Sequence, residues 1–128
     1  MPQVIYQPVR CARDARGLVF EPIGVEAIAL QRNVHVALTE PGGIRGNHFH
    51  ERATEITVVL GPALVRLRED GQVRDVNVPP GETWRFIIPP GVGHAFQNTG
   101  TQPLLLVAFS TSVFDPANPD VVRDGLIW

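Results

Sequence analysis

Glycine and proline, twelve of each, punctuate this 128-residue chain at short intervals and leave room for strands and little else. Neither residue sits comfortably inside a helix: glycine has too much backbone freedom to lose, and proline lacks the N–H a helix needs. Runs of strand character lie at Leu18–Phe20, Val34–Thr39, Asn47–His50, Ile56–Leu60 and Ala63–Leu67, then Val73–Val78, Thr83–Ile88, His94–Asn98 and Leu104–Ser110. Asp70-Gly71 between two runs is a hairpin signal, because both central positions of such a turn need positive φ. Pro79-Pro80-Gly81 and Pro89-Pro90-Gly91 bracket the run that carries Trp84 and Phe86. Only Val25–Arg32 has helical flavour, and it fits one or two turns or a strand. Val34, Val36 and Leu38 alternate with His35, Ala37 and Thr39, as in a sheet with two differently solvated faces. Many short strands between regular turns predict an all-β sandwich or barrel.

The length fits a single domain, expected over residues 1–128: an N-terminal arm with the first strands at 1–32, a barrel at 33–110 and a tail at 111–128. A net charge of -2 gives no electrostatic footing for nucleic acid or a membrane surface. No apolar run approaches a membrane span, and no signal peptide is visible, so the cytoplasm is the expected compartment. All eleven basic residues are arginine, which removes lysine Schiff-base chemistry. Cys11 is the single cysteine and has no partner for an internal disulfide.

Three of the four histidines fall in two compact clusters. The first runs Gly42-Gly43-Ile44-Arg45-Gly46-Asn47-His48-Phe49-His50, with Glu55 five positions on and Gly61 beyond. On a strand, positions 48 and 50 point to the same side. The Glu51–Thr54 segment can turn the chain so that Glu55 returns on the neighbouring strand toward the same space. The second cluster, Gly81 through Pro89-Pro90-Gly91-Val92-Gly93-His94 to Asn98, supplies a third imidazole after a tight turn. Imidazoles with a carboxylate suit Zn first, with Fe, Mn and Ni as alternatives. The competing role is histidines that merely hydrogen-bond in an interior. His35 belongs to neither cluster, and a satisfied or half-exposed strand histidine is its commoner role.

Two such clusters in this order resemble the paired motifs of the cupin superfamily. The resemblance implies a small jelly-roll β-barrel with His48, His50, Glu55 and His94 around one divalent transition metal. More narrowly, Asp14-Ala15-Arg16-Gly17 followed by Glu21 is similar to the opening of dTDP-4-dehydrorhamnose 3,5-epimerase-type enzymes. Arg45-Gly46-Asn47-His48-Phe49-His50 and the tail Phe114-Asp115-Pro116-Ala117-Asn118-Pro119-Asp120 resemble the C-terminal cupin domain of capsular polysaccharide epimerase–reductases.

That likeness implies an isomerase, an epimerase or 3,4-ketoisomerase of a nucleotide-linked 4-keto-6-deoxy sugar in polysaccharide biosynthesis. His48 is then the catalytic base or a metal ligand, not both at once. Arg16 and Arg45 are implied as diphosphate partners, with Glu21, Trp84 and Phe96 on the substrate and Phe49 and Phe86 as further aromatics of the interior. The double epimerases oppose their base with a tyrosine, whereas this chain has only Tyr6, which favours a single-centre epimerisation or ketone migration. No Gly-x-Gly-x-x-Gly follows a strand, so a reductase step falls to separate partners. A homodimer is expected, by exchange of the N-terminal arm. Two alternatives stand beside this reading: an iron cupin dioxygenase, and a non-enzymatic module binding a sugar or small molecule.

Overall fold

A computed structural model describes residues 3–128. Its elements run β1 (Ile5–Pro8), β2 (Ala12–Asp14), β3 (Gly17–Val19), α1 (Val25–Ile28), β4 (Asn33–Thr39), β5 (Ile44–His50) and β6 (Glu55–Leu60). They continue with β7 (Ala63–Glu69), β8 (Gln72–Val78), β9 (Thr83–Ile88), β10 (Gly93–Asn98), β11 (Leu104–Ser110) and β12 (Val121–Arg123). Two five-stranded antiparallel sheets face each other, in the orders β1-β9-β6-β11-β4 and β12-β5-β10-β7-β8, and β2 pairs with β3 in a separate hairpin. From β4 to β7 successive strands alternate between the sheets, as they do from β8 to β11; within the two large sheets only β7 and β8 are consecutive partners among the described residues. This is the jelly-roll course of a cupin. The expected barrel is not closed: no ladder joins one sheet to the other, so both sheets keep edge strands.

The β7–β8 hairpin turns at Asp70 (φ 52°) and Gly71 (φ 75°), the two positive values its sequence demanded. Three strands carried too weak a pattern to be read. β1 lies on β9 with Ile5 opposite Ile87, β2 completes the small hairpin, and β12 pairs with β5. Val25–Ile28 forms a single helical turn.

One end of the space between the sheets is a dry plug in which Phe86, Leu67, Val65, Val59, Val78 and Ile88 are almost wholly buried. The other end is open and polar. On the edge strand β4 this inverts the usual alternation: Val34, Val36 and Leu38 face outward and are more than half exposed, while His35 and Ala37 line the interior.

A bulge in β5 decides which side chains share that interior. The β5–β10 register is Arg45 to Phe96, Gly46 to Ala95, then His48 to His94, which leaves Asn47 unpaired. The extra residue shifts parity, so Arg45 joins His48 and His50 on one face. Gly46 (φ 90°) is needed there, because a Cβ would sit 2.7 Å from the carbonyl oxygen of His94. Asn47 adopts φ 56°, and its side chain clamps the C-terminus: Oδ1 accepts from the backbone N–H of Leu126 and Ile127, and Nδ2 donates to the Ile127 carbonyl. Asn47→Ala loses all three bonds and places a Cβ residue without a local hydrogen bond in the left-handed region. Urea unfolding should show a loss of about 2–4 kcal/mol. A change below half a kilocalorie would mean the clamp contributes nothing.

Candidate functional site

His48 and His50 project from β5 and His94 from the adjacent β10, all from one sheet. Glu55 opens β6, which lies in the facing sheet and not beside β5 as the spacing suggested. The Glu51–Thr54 segment therefore carries the chain across the sandwich, and the cluster forms between the sheets. One donor atom from each of the four residues lies within 4.8 Å of the others.

A hydrogen bond fixes the His94 tautomer. His94 Nδ1 lies 3.1 Å from the Val92 carbonyl, and His50 Nδ1 lies 3.3 Å from Asp120 Oδ2. The Val92 carbonyl can only accept, so His94 Nδ1 is an N–H donor and its Nε2 carries the lone pair in the neutral ring. His50, in contrast, lies between two carboxylates, and its Nε2 hydrogen-bonds Glu55. Those two Nε2 atoms face Glu55, at 3.1 Å from Oε1 for His50 and 3.3 Å from Oε2 for His94. The His94 contact lies outside hydrogen-bond alignment, so its fully buried Nε2 has no partner. The His94 lone pair faces a carboxylate oxygen here, a place suited to a proton or a cation. Imidazole nitrogens with a carboxylate are a borderline donor set that matches a first-row transition metal, and the residues fit such an ion. Thr57 steadies the group by donating its hydroxyl to Glu55 Oε2 at 2.7 Å.

The electrostatics agree. Burial favours the neutral acid of Glu55, but the hydrogen bonds from His50 and Thr57 and the nearby His94 outweigh it and hold the carboxyl well below its ordinary range. Burial, reinforced by the neighbouring His94, lowers His48 to about 4, so it is a neutral imidazole at pH 7. Burial opposes the charged form of His50 too, yet Glu55 and Asp120 raise its pKa above the ordinary value.

For the metal-free protein this sets a pH dependence. The unfolded chain protonates His48 near 6.5 and the folded one only near 4, so protons favour unfolding across that window. Melting temperature should fall as pH drops from 6.5 to 4, and His48→Gln should flatten that slope. His50, with its raised pKa, works the other way near pH 6.5, where the folded protein binds its proton more tightly, and its contribution is constant only well below that pH. An unchanged slope in the variant would contradict the assignment.

The cluster forms the floor of a cavity of about 640 Å³ between the sheets. Arg45 and Phe96, both read from the sequence, line it. Phe96 sits between the polar and dry ends, its ring 6.0 Å from His94 and 5.8 Å from Phe86. Arg45 donates to Thr39 Oγ1 and the Leu38 carbonyl, and it forms no ion pair with a carboxylate among the described residues.

The other substrate contacts expected from the sequence lie outside this cavity. Arg16 is 91% exposed and paired with Asp14 in the β2–β3 hairpin, whose short loop holds both on the outer surface. Glu21 is exposed and away from the cavity. Trp84 packs against the dry plug at the opposite end, beside Tyr6, because β9 carries it past the polar end of the interior. Alternation turns Phe49 away from the side that His48 and His50 share.

Sequence reasoning missed Asp120 and Arg52. The tail brings Asp120 back to accept the backbone N–H of Arg52 and Ala53 while it holds His50. Its place at the end of the Phe114–Asp120 motif was the only available signal, since nothing local links positions 50 and 120. His35 also lines the cavity.

The family model of the polysaccharide biosynthesis C-terminal domain matches residues 12–122. The chain belongs to this family. Curated relatives include the spore coat polysaccharide biosynthesis protein SpsL of Bacillus subtilis, 31% identical over 91 residues, covering 65% of this chain and 60% of that one. Oxalate decarboxylase of Arthroderma benhamiae is 39% identical over 75 residues, covering 58% of this chain. The chain thus spans only 17% and 60% of the lengths of these two relatives, decarboxylase and SpsL respectively.

Solved structures share the family fold. ChmJ, a 3′-monoepimerase from Streptomyces bikiniensis in complex with dTDP, superposes with a TM-score of 0.75 at 21% identity, covering 94% of this chain and 68% of that one. The 3,4-ketoisomerase QdtA of Thermoanaerobacterium thermosaccharolyticum in complex with TDP gives 0.70 at 19%, covering 94% and 87%. Among the described residues, no helix is long and apolar enough to cross a membrane.

Proposed function

We propose that this chain is a metal-holding isomerase that moves a proton beside the ketone of a nucleotide-linked 4-keto-6-deoxy sugar in polysaccharide biosynthesis. The observation that carries the reading is the convergence of His48, His50, Glu55 and His94, with the buried His94 Nε2 left without a partner, on the floor of an open cavity with Arg45 at its wall. Membership of a polysaccharide-biosynthesis family supports it, as does a fold shared with a monoepimerase and a ketoisomerase seen with dTDP and TDP.

His48, His50, Glu55 and His94 would hold the ion, with Zn the first choice and Fe, Mn or Ni alternatives. A bound ion supplies Lewis-acid stabilisation of the charge that develops on a ketone oxygen when a neighbouring carbon loses its proton. Asp120 orients His50 through Nδ1, and the Val92 carbonyl does the same for His94. Arg45 offers its guanidinium fork to a diphosphate. Phe96 closes the apolar side of the sugar site.

The likeness to oxalate decarboxylase favours a second reading, a metallo-cupin for a small dicarboxylate. A cavity of about 640 Å³ is far roomier than such a ligand needs. A thermal-shift panel separates the two. A UDP- or dTDP-linked sugar at a hundred times its Kd should stabilise the protein by about 2.7 kcal/mol. Stabilisation by oxalate alone would reverse the order.

Arg45→Ala removes one charge-assisted phosphate contact of roughly 1.5–3 kcal/mol, so calorimetry should show ten- to over a hundred-fold weaker binding. Unchanged affinity would take Arg45 out of the site.

A further inference from the structure

A neutral histidine that gives its lone pair to a metal has none left to take a proton from carbon. His48, His50 and His94 converge on Glu55 as donors, so the proton-transferring group must come from elsewhere on the cavity wall. The remaining ionisable side chains there are few. Arg45 and Arg52 stay charged at any working pH. Asp120 is already the acceptor for Arg52 N, Ala53 N and His50 Nδ1. Asp115 lies on the exposed tail and accepts from Ala117 N. Tyr6 is stacked on Phe86 toward the dry end, and Cys11 lies outside the cavity.

We propose that His35 is the side chain that takes the substrate's proton and returns it, an inference that rests on the isomerase reading above. His35 sits on the cavity wall on edge strand β4, with no hydrogen-bond partner among the described residues. The ladders place it opposite Ala108, which in turn lies opposite Thr57 two residues from Glu55. Two strand spacings separate His35 from Thr57, roughly 10 Å, and the residue between them is the small Ala108. A sugar ring spans that gap with its ketone toward the cluster and the neighbouring C–H toward His35.

Neutral His35 removes the proton from the carbon beside the ketone. The C–H electron pair becomes the new carbon–carbon π bond, and the carbonyl π pair ends on oxygen. The imidazolium then gives its proton to the former carbonyl carbon, and the carbon–carbon π pair forms that C–H bond. The O–H pair of the hydroxyl on the first carbon becomes the new carbonyl π bond, and the proton released there goes to the former carbonyl oxygen, so the ketone moves by one carbon. Nothing is oxidised or reduced overall. Because His35 is open to solvent, its proton exchanges with water between the two steps, so the mechanism washes solvent isotope into the sugar.

The test compares the unsubstituted protein with His35→Gln on a dTDP- or UDP-linked 4-keto-6-deoxy sugar in deuterated water. Expected is a loss of at least about a hundred-fold in deuterium incorporation, with metal content and nucleotide affinity held within threefold. Added imidazole should partly restore exchange in His35→Ala. Exchange within threefold of the unsubstituted protein would overturn the assignment while leaving the isomerase reading intact. A parallel loss of metal would overturn it too, by moving His35's effect to the cluster. No exchange by the unsubstituted protein removes both.

Discussion

His50→Ala is expected to leave purification with less than about a tenth of the metal carried by the unsubstituted protein. His50 joins two parts of the site: Nε2 sits 3.1 Å from Glu55 Oε1 and Nδ1 is held by Asp120. Its loss removes one of four donors and also strands Asp120 without its ring. Asp120→Asn is the milder companion. It keeps all four donors and weakens only the grip on Nδ1, so affinity should fall about 10–100-fold while a full complement still binds at high metal. Elemental analysis after chelator-free purification reads both. Equal metal in His50→Ala and the unsubstituted protein would put the ion elsewhere.

His48→Asn should slow proton exchange on a keto sugar by two or more orders of magnitude. His48 is held neutral by burial and by the neighbouring His94, with a pKa of about 4. A base of that strength is poorly matched to removing a proton from carbon at pH 7, whereas a neutral donor is what a metal needs. The ligand role is therefore expected, and excess metal should restore much of the lost rate. Failure to restore it at full occupancy would return His48 to the role of base and displace His35. An undiminished rate would exclude both roles.

The strands between β4 and β11 were legible because turn chemistry and period-two alternation are local signals, as at Asp70-Gly71 and on β9. His48 and His50 could be placed together for the same reason. What lay beyond the sequence was set by distant partners. Glu55 was expected beside β5 because four residues suffice for a hairpin, yet the jelly-roll course sends them across to the other sheet. Arg45 reached the cavity only through the bulge at Asn47, which pairs with the C-terminal segment some eighty residues away. Trp84 and Phe96 looked equivalent as strand aromatics, but the interior is divided into a dry and a polar end, and only Phe96 reaches the polar one. β1 and β12 were invisible because each is short and is held mainly by its neighbour in the sheet. The Phe114–Asp120 tail was readable as a motif, while the grip of Asp120 on His50 was not.

Proton exchange itself tests the central claim most directly. The metal-loaded protein, given a dTDP-, UDP- or GDP-linked 4-keto-6-deoxy sugar in deuterated water, should place deuterium on the carbon beside the ketone. Proton NMR would follow the loss of that signal without oxygen or any added redox cofactor. No deuterium uptake with any of the three sugars, together with oxygen consumption on another substrate, would contradict the isomerase assignment and put an iron dioxygenase in its place.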